Sequence, residues 1–330
     1  MRDLLSLREI DVADIRLVLE TAASFREILT RSVKKVPTLR GRSVVTLFYE
    51  PSTRTRTSFE LAAKYMSAEA VNIAVAQSSI TKGESLKDTL RTLQALTADC
   101  IVIRHGSSGA ARMAAEMTDR PVINAGDGRH EHPTQALLDA LTIWDHKVVG
   151  RIDDTYPGAL AGERSFDLSN LTVAIVGDVA HSRVARSNAW GLTRLGASVR
   201  WVGPRTLIPA DSESLPVSVH TDLREGLEGA DVVMVLRLQT ERQELGLLPS
   251  LREYARVWGV NAAALRFARP DVLVLHPGPM NRGVEIAADV ADGVGGIRAA
   301  IEQQVTNGVA VRMACLYLLM GTPGAAALES

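Results

Sequence analysis

Apolar residues in the first half of the chain fall alternately in short continuous runs and at helical spacing. The run Ser43–Phe48 is rich in strand-forming residues, and the segment that follows carries Phe59, Ala62 and Met66 on one helical face. The same alternation predicts strands at 100–103 and 122–125, and helices after Gly83, after Gly109 and from Pro133 to about His146. Strands that alternate with helices in this way predict βαβ units and a parallel sheet.

A second series of the same kind follows a polar, glycine-rich stretch at 150–169. Its apolar runs predict strands at 171–176, 199–202, 232–236 and 272–275, a helix from about Arg183 and a last helix from about Ile297 to Met320. These runs show little alternation, as expected of parallel strands that are covered on both faces. The first twenty residues predict an amphipathic helix, and Thr322–Ser330 predict a frayed tail.

The two series predict an α/β protein of two domains, each a mainly parallel sheet flanked by helices. We expect one domain at 1–134, joined by a C-terminal helix at about 300–330, and the other at 135–299. Ligands bind at the carboxyl ends of the strands in such sheets, so the active site is expected in the interdomain cleft.

Composition excludes several classes of function. The chain has 330 residues, and its 37 Lys and Arg against 38 Asp and Glu leave a formal charge of −1, so we expect no nucleic-acid partner. A hydrophobic fraction of 46% argues against disorder. No apolar run approaches the roughly 18 residues of a membrane span, and the start of the chain lacks the features of an export signal. These patterns predict a cytoplasmic protein that does not bind a membrane.

The two cysteines and the glycines offer little support for a metal or a cofactor. Cys100 and Cys315 lie in apolar surroundings, which favours inert core thiols over a disulfide. No Cys/His grouping has the spacing of a zinc site, so no metal is expected. Gly177-Asp178 follows a predicted strand, but no G-x-G-x-x-G motif is present there, which argues against a nicotinamide enzyme. We expect no cofactor.

The strongest chemical signal is the segment Phe48–Glu60, FYEPSTRTRTSFE. A strand ends, a proline sets the turn, and the first turn of a helix then carries hydroxyl and guanidinium groups, from Ser52, Thr53, Arg54 and Thr55. Free backbone N–H groups and the helix dipole favour an anion at such a position. The segment therefore predicts a phosphate site, although it is not a Walker loop. An ordinary N-cap with solvated arginines is the alternative.

The complete segment closely resembles the carbamoyl-phosphate signature of the aspartate and ornithine carbamoyltransferases. Other motifs of that family recur in order from about Leu4 to Met320: Ser78 with Lys82–Leu86, Arg104-His105, and His132–Gln135. The resemblance implies a carbamoyl-phosphate site made of Ser52, Thr53, Arg54, Thr55, Ser78, Arg104, His132, Gln135, Pro277, Gly278 and Pro279. It implies catalytic roles for Arg54, Thr55, Lys82, Arg104 and His132.

The second substrate is indicated by arginines. The Asp-x-Trp-x-Ser-Met-Gly and His-Cys-Leu-Pro motifs of the ornithine enzymes are absent, whereas Arg237–Arg242 and His276–Arg282 resemble the aspartate enzymes. Arginine binds a carboxylate bidentately, while a cationic ornithine side chain requires an acid. The resemblance implies that Lys82, Arg183, Arg237 and Gln239 bind L-aspartate. Transfer to another amino acid such as ornithine, and a catalytically silent ligand-binding paralogue, are the alternatives.

The resemblance also implies an assembly. The family forms homotrimers in which a neighbouring subunit donates the residues that match Ser78 and Lys82. The resemblance leaves regulatory or pathway-enzyme chains open as further partners. The connection Asp153–Arg164 is longer than expected for the family and is expected to be a surface loop. His105, His130 and His181 have no motif support and are expected to be structural or surface residues. Arg56, Arg129 and Arg242 border motifs and are expected to form structural ion pairs.

Overall fold

The computed structural model describes residues 1–74, 84–150, 166–239, 247–248 and 250–321. These residues form two compact units. The first unit contains Met1–Thr134 and the residues from Gly308 onwards, and the second contains the described residues between Gln135 and Asn307.

The first unit is built on a parallel sheet. Its strands are β1 (Ser43–Phe48), β2 (Glu69–Ala74), β3 (Cys100–His105) and β4 (Val122–Asp127). Its helices are α1 (Val12–Thr30), α2 (Thr53–Tyr65), α3 (Leu86–Ala95) and α4 (Ala110–Met117). In the described residues the strand order is β2-β1-β3-β4, and every neighbouring pair is parallel.

The second unit also has a parallel sheet. Its strands are β5 (Thr172–Val176), β6 (Ser198–Val202), β7 (Ser218–His220), β8 (Val232–Val235), β9 (Leu273–Leu275) and β10 (Arg298–Ala299). The remaining helices are α5 (Pro133–Lys147), α6 (Arg183–Arg194), α7 (Leu223–Leu227), α8 (Leu251–Trp258), α9 (Ala262–Leu265), α10 (Ala288–Ala291) and α11 (Ile301–Met320). The order β10-β9-β8-β5-β6-β7 makes β9, β8 and β5 neighbours.

Each sheet is held by apolar side chains from its strands and its covering helices. In the first unit, Val45, Leu47 and Ile103 pack with Leu90 of α3 and Ala114 of α4. In the second unit, the corresponding buried cluster combines strand residues with residues of the α7–α10 region, among them Val176, Val233, Val274, Leu227, Ala264 and Val290. Burial of one such large aliphatic side chain contributes about 1.5–3 kcal/mol. The prediction of two mainly parallel α/β sheets is confirmed.

The two ends of the chain differ from the sequence prediction. Helix α1 begins only at Val12, because Leu4 is buried beside β4, where it exchanges backbone hydrogen bonds with Val122 and Asn124, both of 2.9 Å. At the other end, α11 begins at Ile301 rather than near 297. Arg298–Ala299 instead pair with β9 as an edge strand. In both places, pairing with an existing sheet edge takes precedence over helical periodicity.

Both cysteines are free and buried. Burial raises the pKa of the Cys315 thiol to about 12, and it also raises the pKa of the Cys100 thiol. No helix in the described part of the chain has the length and apolarity needed to cross a bilayer.

A buried arginine fixes α2 against α11 within the first unit. The Arg312 side chain, with the residue only 4% exposed, donates from Nη1 to the Ser58 hydroxyl (2.9 Å) and to the Gly308 carbonyl (3.0 Å). Its guanidinium carbon lies 5.1 Å from the centroid of the Phe59 ring. Ser58 and Phe59 belong to α2, so this one side chain positions the helix that carries the predicted phosphate site.

Arg312→Ala is expected to lower the free energy of unfolding by about 2–4 kcal/mol, because hydrogen bonds from a charged donor are lost and buried acceptors are left behind. Urea denaturation measures the change. The control is Arg31→Ala, whose i,i+4 ion pair with Glu27 is half-exposed and should cost less than about 1 kcal/mol. Equal losses in the two variants would contradict a special role for Arg312.

Candidate active site

The predicted phosphate site is the N-terminal end of α2. Ser52 occupies the N-cap position with an extended backbone (φ −158°, ψ 92°), and its side chain makes no capping hydrogen bond. Thr53 and Arg54 are exposed, while Thr55 is buried. The first turn carries no acidic residue, and its backbone N–H groups have no acceptor within the helix. This helix end therefore combines N–H donors, hydroxyls and a guanidinium in an arrangement suited to an anion.

Arg104 lies at the carboxyl end of β3, beside the strand that leads into this helix. Its Nη1 donates to the Ala125 carbonyl (2.9 Å), and its Nε lies 3.6 Å from Oε2 of Glu50. In the register of β1 and β3, Arg104 is opposite Phe48, so the arginine adjoins the start of the phosphate segment. The contact with Glu50 was not predicted, although Glu50 stands inside the strongest motif.

His132 directly precedes α5 and is buried. The loop before it is fixed by the carboxylate of Asp127, which accepts hydrogen bonds from the Gly109 backbone (2.7 Å), the Asn124 amide (2.8 Å) and Nδ1 of His130 (3.1 Å). The end of β4 is thereby tied to the start of α4 and to the residues that lead to His132.

Opposite charges strengthen this loop. Burial acts to raise the pKa of Asp127, but hydrogen bonds from His130 and Asn124 outweigh it and hold the pKa below its usual value. The hydrogen bond to Asp127 raises the pKa of His130 above its usual value, with burial opposing it. Next to this pair, burial raises the pKa of Glu131, whose carboxylate accepts from the Ser6 hydroxyl and the Leu7 backbone.

In the second unit, Gln135 lies in the first turn of α5. The residue is 9% exposed, and its Nε2 donates to Oδ1 of Asp139 (2.9 Å). Pro277, Gly278 and Pro279 follow β9, and the Gly278 backbone N–H donates to Nδ1 of His276 (2.8 Å). Gly278 adopts a left-handed φ of +61°. Glycine adopts this conformation at little energetic cost because it has no Cβ atom.

The loop after β5 is organised around Asp178, which is fully buried. Gly177 precedes it with φ +126°, and a Cβ there would lie 3.1 Å from the Leu236 carbonyl oxygen. Nδ1 of His181 lies 2.7 Å from Oδ1 of Asp178, and the backbone N–H of Gln239 donates to Oδ2 (3.4 Å). Nε2 of Gln239 also donates to the His181 carbonyl (3.1 Å). Asp178 therefore ties the loop after β5 to the loop after β8.

The two predicted aspartate-binding arginines lie at the ends of neighbouring strands. Arg183 begins α6, whose N-cap residue Ser182 accepts a hydrogen bond from the Ala185 backbone (3.2 Å). Arg237 follows β8 by two residues. The loop after β9 joins the same group, because the Asn281 side chain donates to the Leu238 carbonyl (3.3 Å). Hydrogen bonds therefore link the segments that follow β5, β8 and β9 in the second unit. These segments contain Arg183, Arg237, Gln239 and Pro277–Pro279.

Several predicted residues lie outside the described part of the chain. They are Ser78, Lys82, Arg242, the connection Asp153–Arg164 and the tail Thr322–Ser330. Among the ranges that are described, no group of three or more His, Cys, Asp or Glu side chains could hold a metal ion.

The charged residues that were not assigned to the site make local contacts. Nδ1 of His105 accepts from the Ser107 backbone (2.9 Å), and its ring lies 4.6 Å from that of Tyr49. Hydrogen bonds from Lys64 and Asn72 lower the pKa of Glu60, with a smaller contribution from the charge of Arg56. Arg129 is exposed, and its backbone N–H donates to the Ser108 hydroxyl (3.2 Å).

Three acids were missed at the sequence level: Glu50, Asp139 and Asp178. Each touches a predicted site residue in its own unit, Arg104, Gln135 and Gln239 respectively. Only Asp139 had a readable signal, since it lies at i+4 from Gln135 on a predicted helix and i,i+4 side chains are neighbours.

Models of the two domains of one protein family match the chain. The carbamoyl-P binding domain of aspartate/ornithine carbamoyltransferases matches residues 2–145. The Asp/Orn binding domain of the same family matches residues 169–319. The first match contains the α2 site, Arg104 and His132, and the second contains Arg183 and Arg237.

Full-length relatives and a solved structure agree with these matches. The aspartate carbamoyltransferase catalytic subunit of Moorella thermoacetica is 57% identical over 320 residues, which are 97% of each chain. That of Heliobacterium modesticaldum is 58% identical over 328 residues, 99% of this chain and 98% of the relative. The crystal structure of Trypanosoma cruzi aspartate transcarbamoylase with carbamoyl phosphate and aspartate is similar with a TM-score of 0.81, at 30% identity over 97% of each chain.

The Asp127–His130 pair predicts a pH-dependent stability. Since the folded-state pKa of His130 is raised, its contribution is present below the ordinary histidine pKa of about 6.5 and is lost as pH rises through the folded-state value. Since the pKa of Asp127 is lowered, the pair also weakens as pH falls through that lower value. His130→Ala should therefore destabilise the protein more at about pH 5.5 than at about pH 8.5, as measured by urea denaturation.

His220→Ala is the matched control. Burial and the charge of Arg200 lower the pKa of His220, so its contribution is present above the ordinary histidine pKa and is lost as pH falls. The two variants should show pH dependences of opposite sign. The same pH dependence in both would show that the Asp127 contact does not stabilise the loop.

Proposed function

The chain belongs to the aspartate/ornithine carbamoyltransferase family, and we infer that it transfers the carbamoyl group of carbamoyl phosphate to the amino group of L-aspartate. The products are N-carbamoyl-L-aspartate and phosphate. The observation that carries this conclusion is identity of 57% and 58% over nearly the whole length to two aspartate carbamoyltransferase catalytic subunits.

The side chains at the strand ends of the second unit support aspartate over ornithine. Arg183 and Arg237 supply two guanidinium groups, each suited to bidentate binding of a carboxylate. L-aspartate carries two carboxylates, whereas the ornithine side chain carries a cation. We assign Arg183 to the α-carboxylate and Arg237 to the β-carboxylate, with Gln239 and Lys82 as additional aspartate ligands.

We assign carbamoyl phosphate to the α2 site. Ser52, Thr53, Arg54 and Thr55 bind the phosphate through side chains and the backbone N–H groups of the helix end, with Arg104 and Ser78. The contacts of Arg104 with Ala125 and Glu50 hold its guanidinium in place before the substrate arrives. Such pre-positioned charges stabilise a developing oxyanion without reorganisation, and one donor contributes about 10²- to 10³-fold in rate.

The reaction needs no enzyme nucleophile. The deprotonated amine of aspartate attacks the carbonyl carbon, Thr55, Arg104 and His132 stabilise the tetrahedral oxyanion, and the bond between carbon and the phosphate oxygen then breaks. The proton lost by the amine passes to the departing phosphate. Gln135 and the carbonyls near Pro277, Gly278 and Pro279 hold the carbamoyl amino group. Catalysis then comes from positioning and electrostatics.

The roles of the two domains, the assembly, the compartment and the pathway are also proposals. We assign carbamoyl phosphate mainly to residues 1–134 with the C-terminal helix, and aspartate to 135–299. We propose a cytoplasmic homotrimer that serves de novo pyrimidine (UMP) synthesis, in which a neighbouring subunit supplies Ser78 and Lys82. Regulatory or pathway-enzyme chains are further candidate partners.

Phosphate release from carbamoyl phosphate, measured with L-aspartate or L-ornithine as acceptor, tests the function. Turnover is expected with aspartate. Arg237→Gln should lower kcat/KM for aspartate about 10- to 100-fold, because charge-assisted hydrogen bonds to one carboxylate are lost. Arg256→Gln is the control, since Arg256 is exposed on α8 and should leave turnover unchanged. Turnover with ornithine alone would refute the assignment, and turnover with neither would favour a silent paralogue.

Mixing of two inactive variants tests the shared site. In the proposed trimer, Arg54 and Lys82 of one active site come from two different subunits. A hybrid of Lys82→Ala and Arg54→Ala subunits should therefore contain some sites in which both residues are intact. Phosphate release should therefore reappear after the subunits are exchanged. Each variant exchanged with itself is the control. Absence of activity at every mixing ratio would mean that Lys82 and Arg54 act from the same subunit.

A further inference from the structure

A buried carboxylate lies one helical turn after Gln135. Asp139 in α5 is 0% exposed, and its Oδ1 accepts from Nε2 of Gln135 (2.9 Å) and from Nε2 of Gln304 (2.7 Å). Its Oδ2 accepts from Nδ2 of Asn188 (2.8 Å). The three amides come from α5, α11 and α6, all within the second unit. Three side-chain amides thus turn their nitrogens toward the Asp139 carboxylate.

This arrangement fixes the orientation of the Gln135 amide. A glutamine amide is a donor at its nitrogen and an acceptor at its oxygen, whereas a carboxylate only accepts. The terminal torsion of glutamine is broad and almost two-fold, so the side chain alone does not decide which end faces outward. One N–H of Nε2 is bound to Asp139, so the amide is held with Oε1 turned away from the carboxylate, where it can accept a hydrogen bond from another molecule.

Gln304 extends the same constraint to the loop after β9. Its Nε2 is bound to Asp139, so its Oε1 faces the backbone N–H of His276 and accepts from it (2.9 Å). Pro277 has no backbone N–H, and the N–H of Gly278 donates to Nδ1 of His276. These backbone donors are therefore satisfied inside the protein, and the loop offers its carbonyl oxygens.

We propose that Asp139 is a positioning residue that makes Gln135 a hydrogen-bond acceptor, so that the enzyme selects an acyl phosphate whose acyl group carries N–H donors. This inference rests on the proposed function, in which Gln135 faces the carbamoyl amino group. Carbamoyl phosphate has an NH₂ group at that position, whereas acetyl phosphate has a methyl group that cannot donate. A site built from buried acceptors rejects an analogue that leaves them unpaired.

The test is Asp139→Leu, which has a similar size but removes both acceptor oxygens, so that nothing holds Nε2 of Gln135 and its amide can invert. The measurement is the ratio of the dissociation constants of acetyl phosphate and carbamoyl phosphate, without a second substrate. The wild-type protein should prefer carbamoyl phosphate, and the variant should lose about tenfold of that preference, as expected for one hydrogen bond. Affinity for acetyl phosphate and for inorganic phosphate should change little.

Asn188→Ala is the matched control, because it removes another buried amide from the same carboxylate without touching Gln135. It should lower stability but leave the preference ratio unchanged. An unchanged ratio in Asp139→Leu, or an equal fall in both variants, would overturn the assignment. A wild-type protein that does not bind carbamoyl phosphate would instead refute the proposed function, and the assignment with it.

A second pair of variants serves if Asp139→Leu does not fold. In Gln135→Glu, two carboxylates meet, and uptake of a proton at lower pH lets Glu donate to Asp139 and turn a carbonyl oxygen outward. Its affinity for carbamoyl phosphate relative to wild type should therefore recover as pH falls. Gln135→Leu should show no recovery. The same pH profile in both variants would overturn the proposal.

Discussion

Buried carboxylates that accept several hydrogen bonds hold the loops that carry the candidate site residues. Parallel strands end at one edge of a sheet, and the backbone pairing that aligns them stops there. The loops beyond that edge therefore need other contacts. Asp127 supplies them in the first unit, and Asp178 and Asp139 do so in the second. Each is at most 1% exposed, so a lost donor would leave a buried acceptor unsatisfied, which costs about 1–3 kcal/mol.

The use of acids as supports explains how a chain of formal charge −1 can offer cationic binding groups. The acids contact groups that are proposed to bind the substrates: Glu50 contacts Arg104, and Asp178 accepts a hydrogen bond from the backbone of Gln239. The basic and amide groups remain as the proposed ligands for an acyl phosphate and a dicarboxylate. The overall balance of charge therefore says little about the local field at the site.

Buried acids also orient neutral amide groups. Asp139 determines which end of Gln135 and of Gln304 is a donor, and the orientation of Gln304 then satisfies the backbone of His276. Asp139 thus orients an acceptor on α5 directly, and through Gln304 it satisfies a backbone donor in the loop after β9. Specificity for an N–H-bearing acyl group then follows from a residue that the substrate does not touch.

Local pattern in the sequence predicted seven of the strands in the two sheets, because apolar periodicity is a property of contiguous residues. It did not predict the edge strands β2, β7 and β10. The motif at the start of α2 indicated Arg54, and the resemblance to the carbamoyltransferases added Arg104 and His132 as candidates. Sequence pattern placed the start of the chain in a helix, whereas the structure pairs Leu4 with β4. It also did not find Glu50 or Asp178 as supports, and Asp139 gave only the i,i+4 signal. Those outcomes depend on which distant segment lies beside a sheet edge or a guanidinium, and only the tertiary structure decides that, because a hydrogen bond depends on distance in space and not on separation along the chain.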